Sequence, residues 1–162
     1  MAACVMMAAL LFVSAGPKPT AGNPKAEINH VLDDWHDAAG RADEKRYFGY
    51  FTASAVFLGT DAHERWTTQQ FRKFAHPYFA RGKAWNFKPK DRHITLASDG
   101  RVAWFDERLD TPNLGPARGS GVLVLQGHAW KISQYNLSVP IPNELMAKVK
   151  QIIEAAQKQD KR

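Results

Sequence analysis

The sequence predicts an α+β domain in which helices come first and antiparallel strands follow. Apolar residues recur at helical spacing over most of the first half of the chain. From Ala84 onward the apolar period changes to two, which is typical of strands with one buried face. Asp99-Gly100 and Gly127-His128 separate runs of this kind and predict two hairpin turns. Helices and antiparallel strands that are segregated along a chain define the α+β class.

The composition fits one globular domain. The chain has 162 residues, of which 44% are hydrophobic and 23% charged, so a disordered protein is excluded. Five Trp and nine Phe exceed what a core of this size needs, which predicts aromatic side chains in a pocket as well. The net charge is +6, but Lys and Arg are scattered and many lie beside acids. We therefore predict no nucleic-acid partner.

Residues 1–22 are interpreted as a signal segment and linker. Val5 to Val13 is an apolar run, too short for a membrane span, and Val13-Ser14-Ala15 is typical of a signal cleavage site. This predicts export to the periplasm or the medium and no stable membrane span. Because no basic residue precedes the run, a cytoplasmic protein or a longer signal with an upstream start stays open. Removal of the segment would also remove Cys4, the single cysteine.

Residues 23–140 are predicted to form the main domain, and residues 141–162 an amphipathic helix with a charged tail. Asn23-Pro24 predicts the start of the first helix, and Asp43 caps a second, short one. A short strand is expected over residues 55–58. Thr67 and Gln70 form a capping-box pair at the head of a third helix, in which Pro77 should produce a kink or an interruption. The later strands are expected at residues 84–87, 92–98, 101–109, 118–126 and 129–137.

The first hairpin brings two acid–base pairs together. With Asp99-Gly100 as the turn, His93 faces Asp106, and Arg92 faces Glu107 on the other side of the sheet. A carboxylate beside an imidazole favours a general base. The alternative is a structural cross-strand ion pair, worth about 0.2–1 kcal/mol.

The second hairpin predicts the floor of a pocket. With Gly127-His128 as the turn, Gly121 faces Gln134 and Gly119 faces Asn136. Glycines opposite amides would leave room for a ligand beside polar groups. The alternative is that the two glycines only allow the strand to bend.

Four segments resemble the SnoaL-like family of the nuclear transport factor 2-like superfamily. They are residues 57–66 with a Gly-Thr-Asp-x-x-Glu pattern, 103–107, 118–123, and 130–138, which begins Trp-Lys-Ile. The similarity extends from about Ile28 to Ser138. It implies a cone of helices packed on a strongly curved antiparallel sheet, a cavity inside the cone, and commonly a homodimer through the outer sheet surface. Because the superfamily contains several enzymes and also binding modules, the fold does not select a function.

The resemblance also implies two departures from catalytic relatives. Ketosteroid isomerases carry an Asp base and a Tyr oxyanion donor where this chain has Gly59 and Trp35. Relatives with the Trp-Lys-Ile pattern often carry His at the positions of Gln134 and Asn136. Amides bind ligands but do not transfer protons at neutral pH, so both departures weaken the case for catalysis.

The leading hypothesis is a module that binds a small, largely apolar molecule, which could bear a carbonyl or carboxylate. Its predicted ligand-binding residues are Trp35, Trp66, Trp104, Glu107, Arg118, Gln134 and Asn136. The alternative is an isomerase, cyclase or hydrolase that uses catalytic residues from the set His93, Asp106, Asp61 and Glu64. A second alternative is a non-catalytic dimeric interaction module. No spacing of His or Cys predicts a metal site, and no motif predicts a cofactor.

Overall fold

A computed structural model describes residues 22–159 of the chain. The predicted signal segment lies almost wholly outside these residues. The helices are α1 (Pro24–Gly40), α2 (Glu44–Gly49), α3 (Thr68–Ala80) and α4 (Met146–Gln159). The strands are β1 (Phe51–Leu58), β2 (Arg65–Thr67), β3 (Lys88–Leu96), β4 (Val102–Thr111), β5 (Gly115–Gln126) and β6 (Ala129–Ser138). The predicted α+β class, with an extra C-terminal helix, is confirmed. None of the helices within residues 22–159 is both long and apolar enough to cross a membrane.

The six strands form one curved sheet in the order β2-β1-β6-β5-β4-β3. Neighbouring strands are antiparallel except for β1 and β6, which run parallel. Side chains alternate along each strand, so one face of the sheet is buried under α1, α2 and α3. Helix α4 has no buried residue and stands apart from this core.

The helix ends follow the sequence signals. The Asn23 side chain accepts hydrogen bonds from the backbone N–H groups of Lys25 and Ala26, which caps α1. The capping box of Thr67 and Gln70 is present at α3. The predicted interruption at Pro77 is wrong, because α3 continues through this residue to Ala80. Burial of the apolar face of α3 against the core offsets the loss of the one backbone hydrogen bond that Pro77 cannot donate.

Residues 84–87 do not form the expected strand. They connect α3 to β3, with Trp85 packed against Tyr47 and Phe79 at ring-centroid distances of 5.5 and 5.3 Å. Alternating aromatic residues here reflect contact with the helices rather than strand pairing. Strand β3 begins only at Lys88.

The two hairpins differ in how far their predicted registers extend. In the first, His93 lies opposite Asp106 and Ile94 opposite Phe105, as predicted. In the second, the predicted register holds from the turn to Leu123 and Ile132. Ser133 is then an extra residue in β6, so Gly121 lies opposite Tyr135 and not opposite Gln134. A bulge of one residue reverses the face of every side chain beyond it.

The predicted pairing of glycines with amides is therefore wrong. Gly119 lies opposite Leu137, and both Gln134 and Asn136 are on the outer face of the sheet. The glycines serve a close approach instead. A Cβ atom at Gly121 would lie 2.3 Å from the Gln134 carbonyl oxygen, and one at Gly119 would lie 2.3 Å from the Tyr135 hydroxyl oxygen.

A buried ionic group joins α1 to the sheet. Glu107 on β4 is fully buried; its Oε1 lies 2.7 Å from His36 Nε2, and its Oε2 accepts a hydrogen bond of 2.7 Å from Arg92 Nε. Arg92 also donates to the Asn29 carbonyl oxygen and to Asp33, both on α1. Burial by itself raises the pKa of Glu107, but the hydrogen bonds and charges of His36 and Arg92 outweigh burial and hold the pKa below 4.5. The predicted pairing of Arg92 with Glu107 is thus present, and its role is to fasten α1.

We predict that Gly121→Ala destabilises the protein by about 1–3 kcal/mol, because the new Cβ meets backbone that can yield only if β6 moves. Gly49→Ala is the control, since nothing lies within 4 Å of a Cβ at Gly49. It should leave stability unchanged or slightly increased. Urea unfolding followed by circular dichroism measures both. Equal stability of the two variants would contradict the predicted contact.

We predict that Glu107→Gln lowers the free energy of unfolding at pH 7 by about 3 kcal/mol, because it removes the negative charge that His36 and Arg92 share. Asp106→Asn changes an exposed carboxylate on the same strand and should have an effect within about 0.5 kcal/mol. Denaturant unfolding measures both variants.

The stabilisation that the Glu107 carboxylate provides should depend on pH. A carboxyl whose folded-state pKa is depressed contributes stability above its unfolded pKa and loses it as pH falls through the folded pKa. The difference between the wild type and Glu107→Gln should therefore be complete above about pH 5 and shrink below pH 4.5. A difference that is constant down to pH 3 would contradict this.

Candidate functional site

A cavity of about 180 Å³ lies between the helices and the inner face of the sheet. Nine of its fourteen lining residues are aromatic, so its wall is largely apolar ring surface. The rings come from all three packed helices or the segments beside them. Trp35 is on α1, Tyr47 on α2, Phe71 on α3, Trp85 in the segment that connects α3 to β3, and Tyr135 on β6.

Trp35 is at the centre of this aromatic group. Its ring centroid lies 4.7 Å from that of Tyr135 in an edge-to-face contact and 5.1 Å from that of Tyr47 in a stacked one. Rings in edge-to-face and stacked contact support one another and form a continuous wall. The hollow that they line is partly open to solvent.

Three buried polar atoms at the cavity have no hydrogen-bond partner within residues 22–159: Trp35 Nε1 and the hydroxyls of Tyr47 and Tyr135. Burial raises the pKa of both phenols well above 10.0, and for Tyr135 the nearby Glu107 charge adds to the rise. The nearby Trp85 indole partly opposes the rise in the pKa of Tyr47, although the two groups do not have the geometry of a hydrogen bond. Both hydroxyls therefore stay protonated. A buried polar group without a partner costs about 1–3 kcal/mol. These three atoms have almost no exposed surface, so they face packed neighbours and not the hollow itself.

A short turn between β1 and β2 carries the charged part of the site. Gly59 donates its backbone N–H to the Glu64 carbonyl oxygen at 2.8 Å, and His63 donates its backbone N–H to Asp61 Oδ1 at 2.8 Å. The Glu64 carboxylate accepts a hydrogen bond of 3.2 Å from the Asp61 backbone N–H. A Cβ at residue 59 would lie 2.1 Å from Glu64 Oε2, so the carboxylate occupies the space that a side chain at this position would need.

Three of the predicted site residues line the cavity: Trp35, Trp66 and Glu64. Trp35 is buried, whereas Trp66 and Glu64 are partly exposed on the β1–β2 hairpin, where Trp66 lies opposite Phe57. Their roles toward a ligand stay predictions. Asp61 is exposed and holds the turn through its hydrogen bond to His63 rather than facing the cavity.

The remaining predicted residues do not line the cavity, which corrects their expected placement. His93 and Asp106 form a 3.5 Å pair that is 74% and 59% exposed, a surface pair of small energetic value. Trp104 is 49% exposed. With Arg118, Gln134 and Asn136 it lies on the outer face of the sheet, and Glu107 is fully occupied by His36 and Arg92.

Sequence reasoning missed Tyr47, Trp85 and Tyr135. A regular alternation along β6 that places Gln134 inward would put Tyr135 on the outer face. No sequence signal distinguishes a core ring from a ring beside a hollow. Within the part of the chain that the structure describes, no group of three or more His, Cys, Asp or Glu side chains could hold a metal ion.

Solved structures share this architecture at low sequence identity. An NTF2-like protein of unknown function from Pseudomonas putida KT2440 matches with a TM-score of 0.61 and 14% identity, over 75% of this chain and 92% of its own. A cystatin-like domain of unknown function from Nostoc punctiforme PCC 73102 matches with a TM-score of 0.64 and 13% identity, over 88% and 94%. A provisionally assigned scytalone dehydratase from Novosphingobium aromaticivorans DSM 12444 matches with a TM-score of 0.60 and 11% identity, over 72% and 84%. These similarities show the fold alone.

No curated protein sequence is similar enough to this chain to count as a match. The family model of the SnoaL-like domain, in contrast, matches residues 28–142, which extend from within α1 beyond the end of β6 and include every residue that lines the cavity. The chain belongs to the SnoaL-like domain family, with the NTF2-like fold.

Proposed function

We propose that the protein binds a small, largely apolar molecule containing one ring in the cavity between the helices and the sheet. The observation that carries this proposal is the hollow itself, which has nine aromatic residues among the fourteen that line it. Its volume of about 180 Å³ is close to that of an apolar protein cavity, about 150 Å³, that holds benzene. The rings supply the contact area for the ligand.

Export and homodimer formation belong to the same proposal. The apolar run and small residues in the first 22 residues support a protein that acts outside the cytoplasm. The outer sheet face carries Trp104 beside Val122, an apolar pair that a second copy could cover. Neither feature changes which side of the sheet the ligand occupies.

Binding is tested with a library of one-ring aromatic compounds, using thermal shift and native mass spectrometry. We expect several members to raise the melting temperature and to bind at one per chain. Leu114→Trp places a bulkier side chain at the cavity wall, which leaves less room for a ligand and should weaken binding at least tenfold. Val139→Trp changes a similarly exposed apolar residue away from the cavity and should bind normally. Absence of any binder, or equal binding by both variants, would contradict the proposal.

An enzyme is the second candidate, favoured by the position of Glu64. Its carboxylate fills the space beside Gly59, the position where the resemblance to ketosteroid isomerases implies a base. Glu64 would remove a proton from a carbon next to a carbonyl in a ligand that the aromatic rings of the cavity hold.

We predict for this candidate that the protein accelerates deuterium exchange at the α-carbon of a one-ring ketone, followed by NMR. Glu64→Gln should reduce the exchange rate by about 10²–10⁴-fold, because it removes the base. Asp61→Asn, which alters a neighbouring carboxylate outside the cavity, should retain the rate. Exchange no faster than in buffer would exclude this reaction.

A further inference from the structure

We infer that the cavity selects a ligand carrying a protonated amine or a quaternary ammonium group. This inference rests on the proposed binding function and specifies the chemical class of the ligand. It replaces the expectation of a carboxylate-bearing ligand, which depended on Arg118. The structure places Arg118 on the outer face of β5, opposite Arg108 and Ser138.

The charge of the cavity wall supports this inference. Among the described residues that line the cavity, Glu64 is the only charged one, and there is no Lys, Arg or His. A ligand carboxylate would meet a carboxylate without any cation to balance it. A ligand ammonium would meet an opposite charge in a partly water-excluded place, where the attraction is stronger than in bulk water.

The Glu64 carboxylate is available for such a partner. None of the salt bridges found within residues 22–159 involves it. Its one hydrogen bond comes from the Asp61 backbone N–H at 3.2 Å. The backbone bond between Gly59 and Glu64 closes the turn and holds the carboxylate at the edge of the cavity. The turn is therefore already ordered, and its conformational entropy falls little when a cation binds.

Aromatic rings surround the same place. Trp66, two residues after Glu64, stacks on Phe71 and Phe74 with centroid distances of 5.6 and 4.7 Å, and Phe57 stacks on Phe71 at 3.7 Å. The faces of aromatic rings carry negative potential and attract cations, Trp most strongly, so the ring faces that this stack leaves open add to the attraction of Glu64. Aromatic cages recognise ammonium groups in the same way.

The two ends of the cavity thus differ in chemistry. The Glu64 end is partly exposed and attracts a cation, whereas Trp35, Tyr47 and Tyr135 are almost fully buried and present ring surface to the hollow. A ligand with its ring inward and its ammonium group beside Glu64 would satisfy both ends.

Isothermal titration calorimetry with four matched probes tests the inference: benzylamine, benzyltrimethylammonium, benzyl alcohol and benzoate. For the wild type at neutral pH we expect both cations to bind at least tenfold more tightly than benzyl alcohol, and benzoate to bind most weakly. Glu64→Gln should remove most of the preference for cations and leave the affinity for benzyl alcohol unchanged. Asp61→Asn is the matched control and should retain the preference. Thermal unfolding verifies that both variants are folded.

The outcomes separate this inference from the proposed function. If benzyl alcohol binds in the cavity and the cations bind no better, the charge selection is wrong and the binding function stands. If no probe binds, both fail. A cation preference that is undiminished in Glu64→Gln would overturn the role assigned to Glu64.

Discussion

The bulge at Ser133 in β6 is the constraint on which the interior of this domain depends. On the turn side of the bulge, Ile132 faces the helices, and beyond it Tyr135 and Leu137 do so. Without the extra residue, Gln134 and Asn136 would face a fully apolar helix layer, and amides buried there would lack partners. Because of the bulge, Tyr135 and Leu137 line the cavity in place of the two amides. The Tyr135 hydroxyl lies against Gly119, which has no side chain to obstruct it.

Two kinds of interaction, aromatic packing and a buried ionic group, hold the helices and the sheet apart around the hollow. On one side Trp35 is held between the rings of Tyr47 and Tyr135. On the other, the ionic group of His36, Glu107 and Arg92 fixes α1 over the sheet through hydrogen bonds of 2.7 Å. A charged group at this depth is stable only when every member is paired, so the spacing between helix and sheet is set narrowly. Helix and sheet cannot approach further to close the space.

The proposed function rests on the difference between the two faces of the sheet. The outer face carries exposed charged pairs, including His93 with Asp106, where water screens them and their attraction is weak. The inner face has aromatic rings, with the Glu64 carboxylate contributed by the β1–β2 turn. A single charge in such a setting has a large effect on which ligands can enter, because few polar groups and little water compensate it.

The sequence by itself determined the α+β class, the helix caps and the first hairpin. These depend on local rules: the capping box at Thr67, the Asp99-Gly100 turn and the alternation that places Glu107 inward with Arg92. Only the tertiary structure decided which rings border a hollow and which amides face water. The extra residue Ser133 does mark the sequence, because the apolar alternation of Trp130 and Ile132 resumes out of phase at Tyr135 and Leu137. A register extended from the turn with a strict period of two misses this change and assigns every later position to the wrong face.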